Sequence, residues 1–468
     1  MWHRGTLVLA CALILTSSVF GLTRVVPAAG HVEGAFGTSW RTDLLLSSTV
    51  NHSQVVDLTF YPTGSAAVTR SIVIGPKDTM VVPDAVNPGA YSVQVPSWVG
   101  QLVLESPHGL HASAHTWTTS ALRDGTYGGV IDSYDPLILP SHGTLTGLVV
   151  SARFRSNVAI ANGSNGTNIV DFTTRDASGQ VVAALRLQLG AHETRQLSVA
   201  HDLGLAEGVY SLEWTSVVPA IAIASVIDNI SGDPSNAPSI ANARAAHCFP
   251  IVGKVDGVLG TVWSTSLSIT TESLAGATVA LVYHGADEID AEKTATIPAK
   301  GTLFIVDLLA HLGAPRGLGY LHLESDVPIV ASARIFNTEE DGATYGSLLL
   351  PQEPMAEDDD VRIRGVRRTA AFRANVVLTN RTSEPTAGWL RFFDRRGDLV
   401  EKHWFVLEAH DMTQISLNGS IVEVEAGEVE VQTADDVELL VIVSNVDNAS
   451  GDTLVREAEQ EIERQLEP

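Results

Sequence analysis

Apolar and polar residues alternate in short runs along almost the whole chain, and the runs between turn residues are rich in β-branched and aromatic side chains. Val55-Val-Asp-Leu-Thr-Phe60 and Ala277-Thr-Val-Ala-Leu-Val-Tyr283 show the mixed pattern of strands with one face on a core. Ile221-Ala-Ile-Ala-Ser-Val-Ile227 and Leu439-Leu-Val-Ile-Val-Ser444 are continuous apolar runs of strand length. Turn signals separate them at short intervals: Asn87-Pro-Gly89, Ala177-Ser-Gly179, Ser325-Asp-Val-Pro328 and Arg396-Gly-Asp398. No long segment with helical periodicity interrupts the series. Short strands with frequent turns and no helical crossovers predict antiparallel β-sandwiches.

The pattern occurs twice. Leu102-Val-Leu-Glu-Ser106 returns as Leu321-His-Leu-Glu-Ser325, and Gly125-Thr-Tyr-Gly128 as Ala343-Thr-Tyr-Gly346. Arg153-Phe-Arg-Ser-Asn-Val158 returns as Ala371-Phe-Arg-Ala-Asn-Val376, and Asp228-Asn-Ile-Ser-Gly-Asp233 as Asp447-Asn-Ala-Ser-Gly-Asp452. The offset is the same throughout, about 219 residues. Within each copy, openings such as Trp40-Arg-Thr-Asp-Leu44 and Phe154-Arg-Ser-Asn-Val158 relate a first half to a second. The expected fold class is therefore all-β: four tandem antiparallel β-sandwiches, Ig-like or related, in an A-B-A′-B′ duplication. The expected boundaries are A at 31–140, B at 141–246, A′ at 247–360 with an acidic linker at its end (Glu353 to Asp360), and B′ at 361–454. A polar tail, 455–468, is rich in helix formers and predicts a short frayed helix.

Charge and the N-terminus place the chain. A net charge of −25 opposes binding to nucleic acid or to anionic membrane surfaces. Arg4 precedes an uncharged, mostly apolar run from Thr6 to Leu22, and Ala28-Ala29-Gly30 follows, so residues 1–30 are expected to be an export signal cleaved near Ala29 or Gly30. No later segment is apolar enough to span a bilayer, so the mature chain is expected to be secreted, periplasmic or cell-surface. Cys11 lies in the signal, which leaves Cys248 without an intrachain disulfide partner. An exported protein without disulfides fits a bacterial envelope.

The strings Phe154 to Asn162 and Phe372 to Asn380, with the closing strings Ile227 to Asp233 and Val446 to Asp452, resemble tandem β-sandwich repeats of secreted bacterial proteins. The A-type ending, Glu324 to Thr338 and then Gly342-Ala-Thr-Tyr-Gly346, resembles the same group. Its Glu-Ser-Asp-Val-Pro-Ile-Val stretch is similar to the sensory-rhodopsin transducer fold. The resemblance implies sandwich domains that accompany catalytic modules as accessory parts, and it carries no catalytic residue over.

Two carboxylates, an amide and a hydroxyl within six residues make each Asp-Asn-x-Ser-Gly-Asp turn a candidate Ca²⁺ site: Asp228, Asn229, Asp233 and Asp447, Asn448, Asp452. The competing reading is a turn in which the side chains bond nearby backbone N–H groups. His111 and His115 share a strand face but stand about 13 Å apart, too far for one metal without other ligands. Tyr127 and Tyr345 could stack on sugars or pack inward. The arginines Arg362, Arg364, Arg367, Arg368 and Arg373 could dock a polyanion or pair with neighbouring carboxylates. Cys248 beside His247 has no evident orienting group for a nucleophile. No metalloprotease, nucleophile-elbow, Cys-x-x-Cys or phosphate-loop motif occurs. The chain is therefore expected to be a non-enzymatic structural, adhesion or spacer protein of the cell envelope, contacting an envelope protein or polysaccharide. The alternative is a carbohydrate-binding or calcium-dependent module accessory to a secreted enzyme.

Overall fold

The computed structural model describes residues 21–458 apart from 35–36, 92–97, 121–122, 258–260, 287–289, 354–360, 420 and 434–438. The chain is all-β, built of antiparallel sheets, as the alternation predicts. In the strand Gln54–Pro62, burial alternates so that Val56, Leu58 and Phe60 point inward. In Asn168–Asp176, Val170 and Phe172 do the same.

Segment B gives the plan. One sheet runs in the order His142–Val150, Gly208–Ser216, Asn168–Asp176, Val181–Leu189. The other runs Thr194–Ser198, Phe154–Asn162, Ala220–Asp228, Pro234–Pro238. Between them lies a core that includes Val158, Ile160, Phe172, Leu212 and Trp214. Segment B′ repeats the order with Val361–Arg368, Val424–Thr433, Thr386–Phe393, Leu399–Leu407 and with Met412–Ser416, Phe372–Asn380, Leu439–Asp447, Thr453–Glu457. In A′ the strand Gly317–Thr338 is long enough to pair in both layers: it meets Ala277–Gly285 through its first half and Val262–Thr271 through its second.

Two expectations at the chain ends need correction. Residues Leu22–Gly30, expected to lie in the cleaved signal, form a strand paired with Val99–Ser106, and Val25, Val26 and Ala29 are buried in the core of A. Cleavage near Ala29 would remove that strand. At the other end, Thr453–Glu457 pairs with Leu439–Asp447, so the first residues of the expected helical tail are strand. The ladder supplies partners for their backbone groups, which outweighs a weak local helix preference. Residues 459–468, and the acidic linker beyond Glu353, lie outside the described residues.

The segments close on one another. Pro27 of A accepts from Thr194 of B at 2.6 Å, and Thr146 of B meets Ser268 of A′ at 2.7 Å. Thr379 of B′ donates to Pro250 of A′ at 2.7 Å, and Arg456 of B′ donates to Ser113 of A at 2.9 Å. The last segment thus returns to the first, and the strands Arg123–Asp132, Pro234–Pro238, Thr344–Leu349 and Thr453–Glu457 gather at the centre.

Candidate functional site

The acidic turns lie at that centre. After the strand Ala220–Asp228 the chain must reverse into Pro234–Pro238. Asp228 Oδ1 accepts from the backbone N–H of Ile230 and Ser231 at 2.7 and 3.2 Å, and Ser231 Oγ accepts from Asp233 N at 3.1 Å. Gly232 takes a left-handed φ of 81°, which a residue without Cβ adopts at little cost. The second copy is built alike: Asp447 Oδ1 accepts from Ala449 and Ser450, and Gly451 sits at φ 71°.

The second oxygen of each leading aspartate reaches into the other repeat. Asp228 Oδ2 accepts from Thr344 N at 2.9 Å and from its hydroxyl at 2.5 Å, while Asp447 Oδ2 accepts from Thr126 N at 3.0 Å and its hydroxyl at 2.7 Å. The closing aspartates follow: Asp233 Oδ2 accepts from Gly346 N, and Asp452 Oδ2 from Gly128 N, both at 2.9 Å. Ser231 and Ser450 return the contact by donating to the carbonyls of Thr344 and Thr126. A Cβ on Gly128 or Gly346 would lie 2.1 Å from a backbone oxygen of the adjoining strand, so glycine is required there.

The two repeated motifs are therefore each other's partners. The turn of B grips the Thr-Tyr-Gly segment of A′, and the turn of B′ grips that of A. The tyrosines between the grips, Tyr127 and Tyr345, are buried and meet edge to face at 5.8 Å beside Trp40 and Ala343. Their rings pack inward, away from a sugar-stacking position.

This geometry places all six candidate calcium ligands. Both oxygens of Asp228 and of Asp447 accept backbone and hydroxyl hydrogens. Asn229 and Asn448 accept from Arg155 and Arg373 at 2.7 and 2.8 Å and donate to the carbonyls of Ala152 and Ala370. Asp233 and Asp452 each use one oxygen in the grip, and Oδ1 of each is buried without a hydrogen-bond partner. Among the described residues no three His, Cys, Asp or Glu side chains are grouped to hold a metal ion. Burial raises the Asp233 carboxyl to about 7 against the pull of Arg334, and burial together with the Asp233 charge raises Asp452.

The two grips differ in their cations. Arg153 binds Asp228 through Nε at 3.0 Å, but its counterpart in B′ is Ala371. Arg334 lies 3.9 Å from Asp233, but its counterpart in A is His115, which burial and two arginines depress to about 3. His115 is thus a neutral interior side chain.

The arginines at the start of B′ pair with carboxylates. Arg362 meets Glu430 at 2.8 Å, Arg364 meets Glu428 at 2.9 Å, Arg367 meets Glu425 at 3.2 Å and Arg368 meets Glu401 at 2.6 Å. Cys248 is buried and its thiol is pushed up to about 12, far from a thiolate nucleophile. Sequence reasoning noted the aspartate turn and the Thr-Tyr-Gly segment separately and missed that they bind each other. The available signal was that both survive in both copies.

No protein-family model and no curated protein matches the chain. Among solved structures, Thermotoga maritima 1070 is 21% identical with a TM-score of 0.21, over 24% of this chain and 96% of that one. A tetra-tandem repeat from the extending region of a large adhesion protein is 14% identical with a TM-score of 0.12, over 94% of this chain and 99% of that one. An α-L-rhamnosidase from Aspergillus terreus is 9% identical with a TM-score of 0.14, over 74% and 50%. With scores this low, the fold is read from strand pairing rather than from these likenesses.

Proposed function

We propose that this chain is an exported, non-catalytic scaffold of the bacterial cell envelope. The observation that carries the reading is the reciprocal grip. The residues most exactly repeated between the two halves are used to hold the halves together, so the signature of the chain is architectural. An extended spacer needs its ends apart, whereas Thr126 and Asp447 bond across 321 residues of chain. That favours a compact body over a rod. The acidic turns are read here as latches rather than calcium sites, because their leading carboxylates are already engaged.

The test is fractionation of cells producing the full chain with a C-terminal epitope. The expected outcome is recovery outside the cytoplasm, with a new N-terminus at or before Leu22, so that the strand Leu22–Gly30 is kept. Recovery of unprocessed chain in the cytosol would overturn the reading.

A further inference from the structure

One surface feature distinguishes B′ from its duplicate B. The outer face of its sheet carries Trp389 directly opposite Trp404 on the edge strand Leu399–Leu407, with ring centroids 5.0 Å apart and the planes at 69°. Trp404 is 51% exposed and Val406, next on the same face, 58%. In B the same cross-strand slot holds Asp171 and Arg186, an exposed ion pair at 2.6 and 2.8 Å. Both segments complete their cores without this pair, since the side chains face outward in each. B′ therefore has an exposed indole packed on a half-buried one where its duplicate has a well-solvated ion pair, so the pair is not required by the sheet.

The surroundings select the occupant. Lys402 sets its ammonium 3.6 Å from the Trp389 ring centre, and Gln432 stands opposite Trp389 on the next strand. Arg391 in the adjoining row binds Glu430 at 2.6 Å and Gln432 at 3.0 Å. The apolar patch is thus two indoles and a valine ringed by hydrogen-bonding groups. At about 150–250 Å² per aromatic side chain it falls well short of the roughly 800 Å² each partner contributes to a stable protein interface. Arg391 is neutralised by Glu430 and Lys402 rests its ammonium on the Trp389 ring, while the whole chain carries −25, which disfavours acidic ligands.

We propose that the exposed Trp404, propped edge to face on Trp389, forms a docking platform for a neutral polysaccharide, whose pyranose C–H face stacks on the Trp404 indole while its hydroxyls bond to Lys402 and Gln432. The proposal names a partner for the envelope scaffold and rests on that reading. Purified processed chain is titrated with N-acetylglucosamine and glucose β-1,4 hexasaccharides while tryptophan fluorescence is followed, and is tested for retention on chitin and cellulose. The expected result is saturable binding to at least one probe. Trp404→Ala, and the pair Trp389→Asp with Trp404→Arg that installs the slot of B, should weaken it at least about tenfold with melting unchanged. Absence of saturable binding to every probe, or equal binding by the paired variant, overturns the proposal. So does a dimer that Trp404→Ala dissolves, since the platform would then serve self-association. Cytosolic recovery of the chain would overturn the scaffold reading and leave the binding result standing.

Discussion

At the scale of single residues, Asp233 and Asp452 are buried carboxylates with incomplete hydrogen bonding. Each comes from the end of a latch turn, each gives one oxygen to a glycine N–H, and each leaves the other without a partner. A buried carboxylate without full compensation takes up a proton, and burial raises Asp233 to about 7 from an ordinary 3.8. The folded state therefore holds this proton more tightly than the unfolded chain does. Stability contributed in this way is complete below the ordinary carboxyl range and is lost as pH rises through 7. Calorimetric melting should accordingly fall between pH 6.5 and about 8. Asp233→Asn combined with Asp452→Asn should flatten part of that slope. A wild-type profile that is level or rises across the window would contradict the assignment.

At the scale of elements, alternation made most strands readable, but the two ends were misjudged for one reason. Leu22–Gly30 carries Ala28-Ala29-Gly30, which looks like a processing site, and Val455 to Glu457 carries helix formers. Local composition decided both readings, whereas the ladder offered by Val99–Ser106 and by Leu439–Asp447 decides the structure. The apolar stretch from Thr6 to Leu22 runs directly into the first core strand, so no change in hydropathy marks where that strand begins. A chain beginning at Leu22 should fold, and one beginning at His31 should not. Loss of Val25, Val26 and Ala29 removes three buried side chains and exposes the edge of Val99–Ser106, at a cost of several kcal/mol. Circular dichroism melts of the two versions check this: equal melting temperatures would place the strand outside the folding unit.

At the scale of the whole molecule, the reciprocal grips join what the duplication left as two copies. Each half bonds the other through the same pair of motifs, an isologous arrangement inside one chain. Asp228→Ala together with Asp447→Ala removes both leading carboxylates and strands the Thr126 and Thr344 donors, with a penalty of about 1–3 kcal/mol for each buried group. The main apolar cores lie within one half or the other, so the expected consequence is opening between the halves rather than unfolding. Small-angle scattering of the wild type should give a radius of gyration near 22 Å, the compact value for this length, and the double variant should exceed it while keeping its β-sheet circular dichroism. An unchanged radius would mean that the remaining contacts between the halves, such as Thr146 with Ser268 and Arg456 with Ser113, hold the closure alone.

The sequence by itself determined the all-β class, the long period and the identity of the two repeated motifs. Alternation and turn chemistry are local properties, and a duplication is visible wherever both copies keep the same residues. The tertiary structure alone decided that Asp228 accepts hydrogen bonds from Thr344 of the other half, that His115 and Cys248 are interior groups, and that Trp389 faces Trp404. Each of these depends on which residues stand opposite one another, and neither register across a hairpin, as for Trp389, nor a partner in the other half, as for Asp228, leaves a mark in local periodicity. The repeat showed that the two motifs matter. Their contact across the centre shows what they are for: carboxylates buried at an interface bind the backbone donors that the opposite half presents.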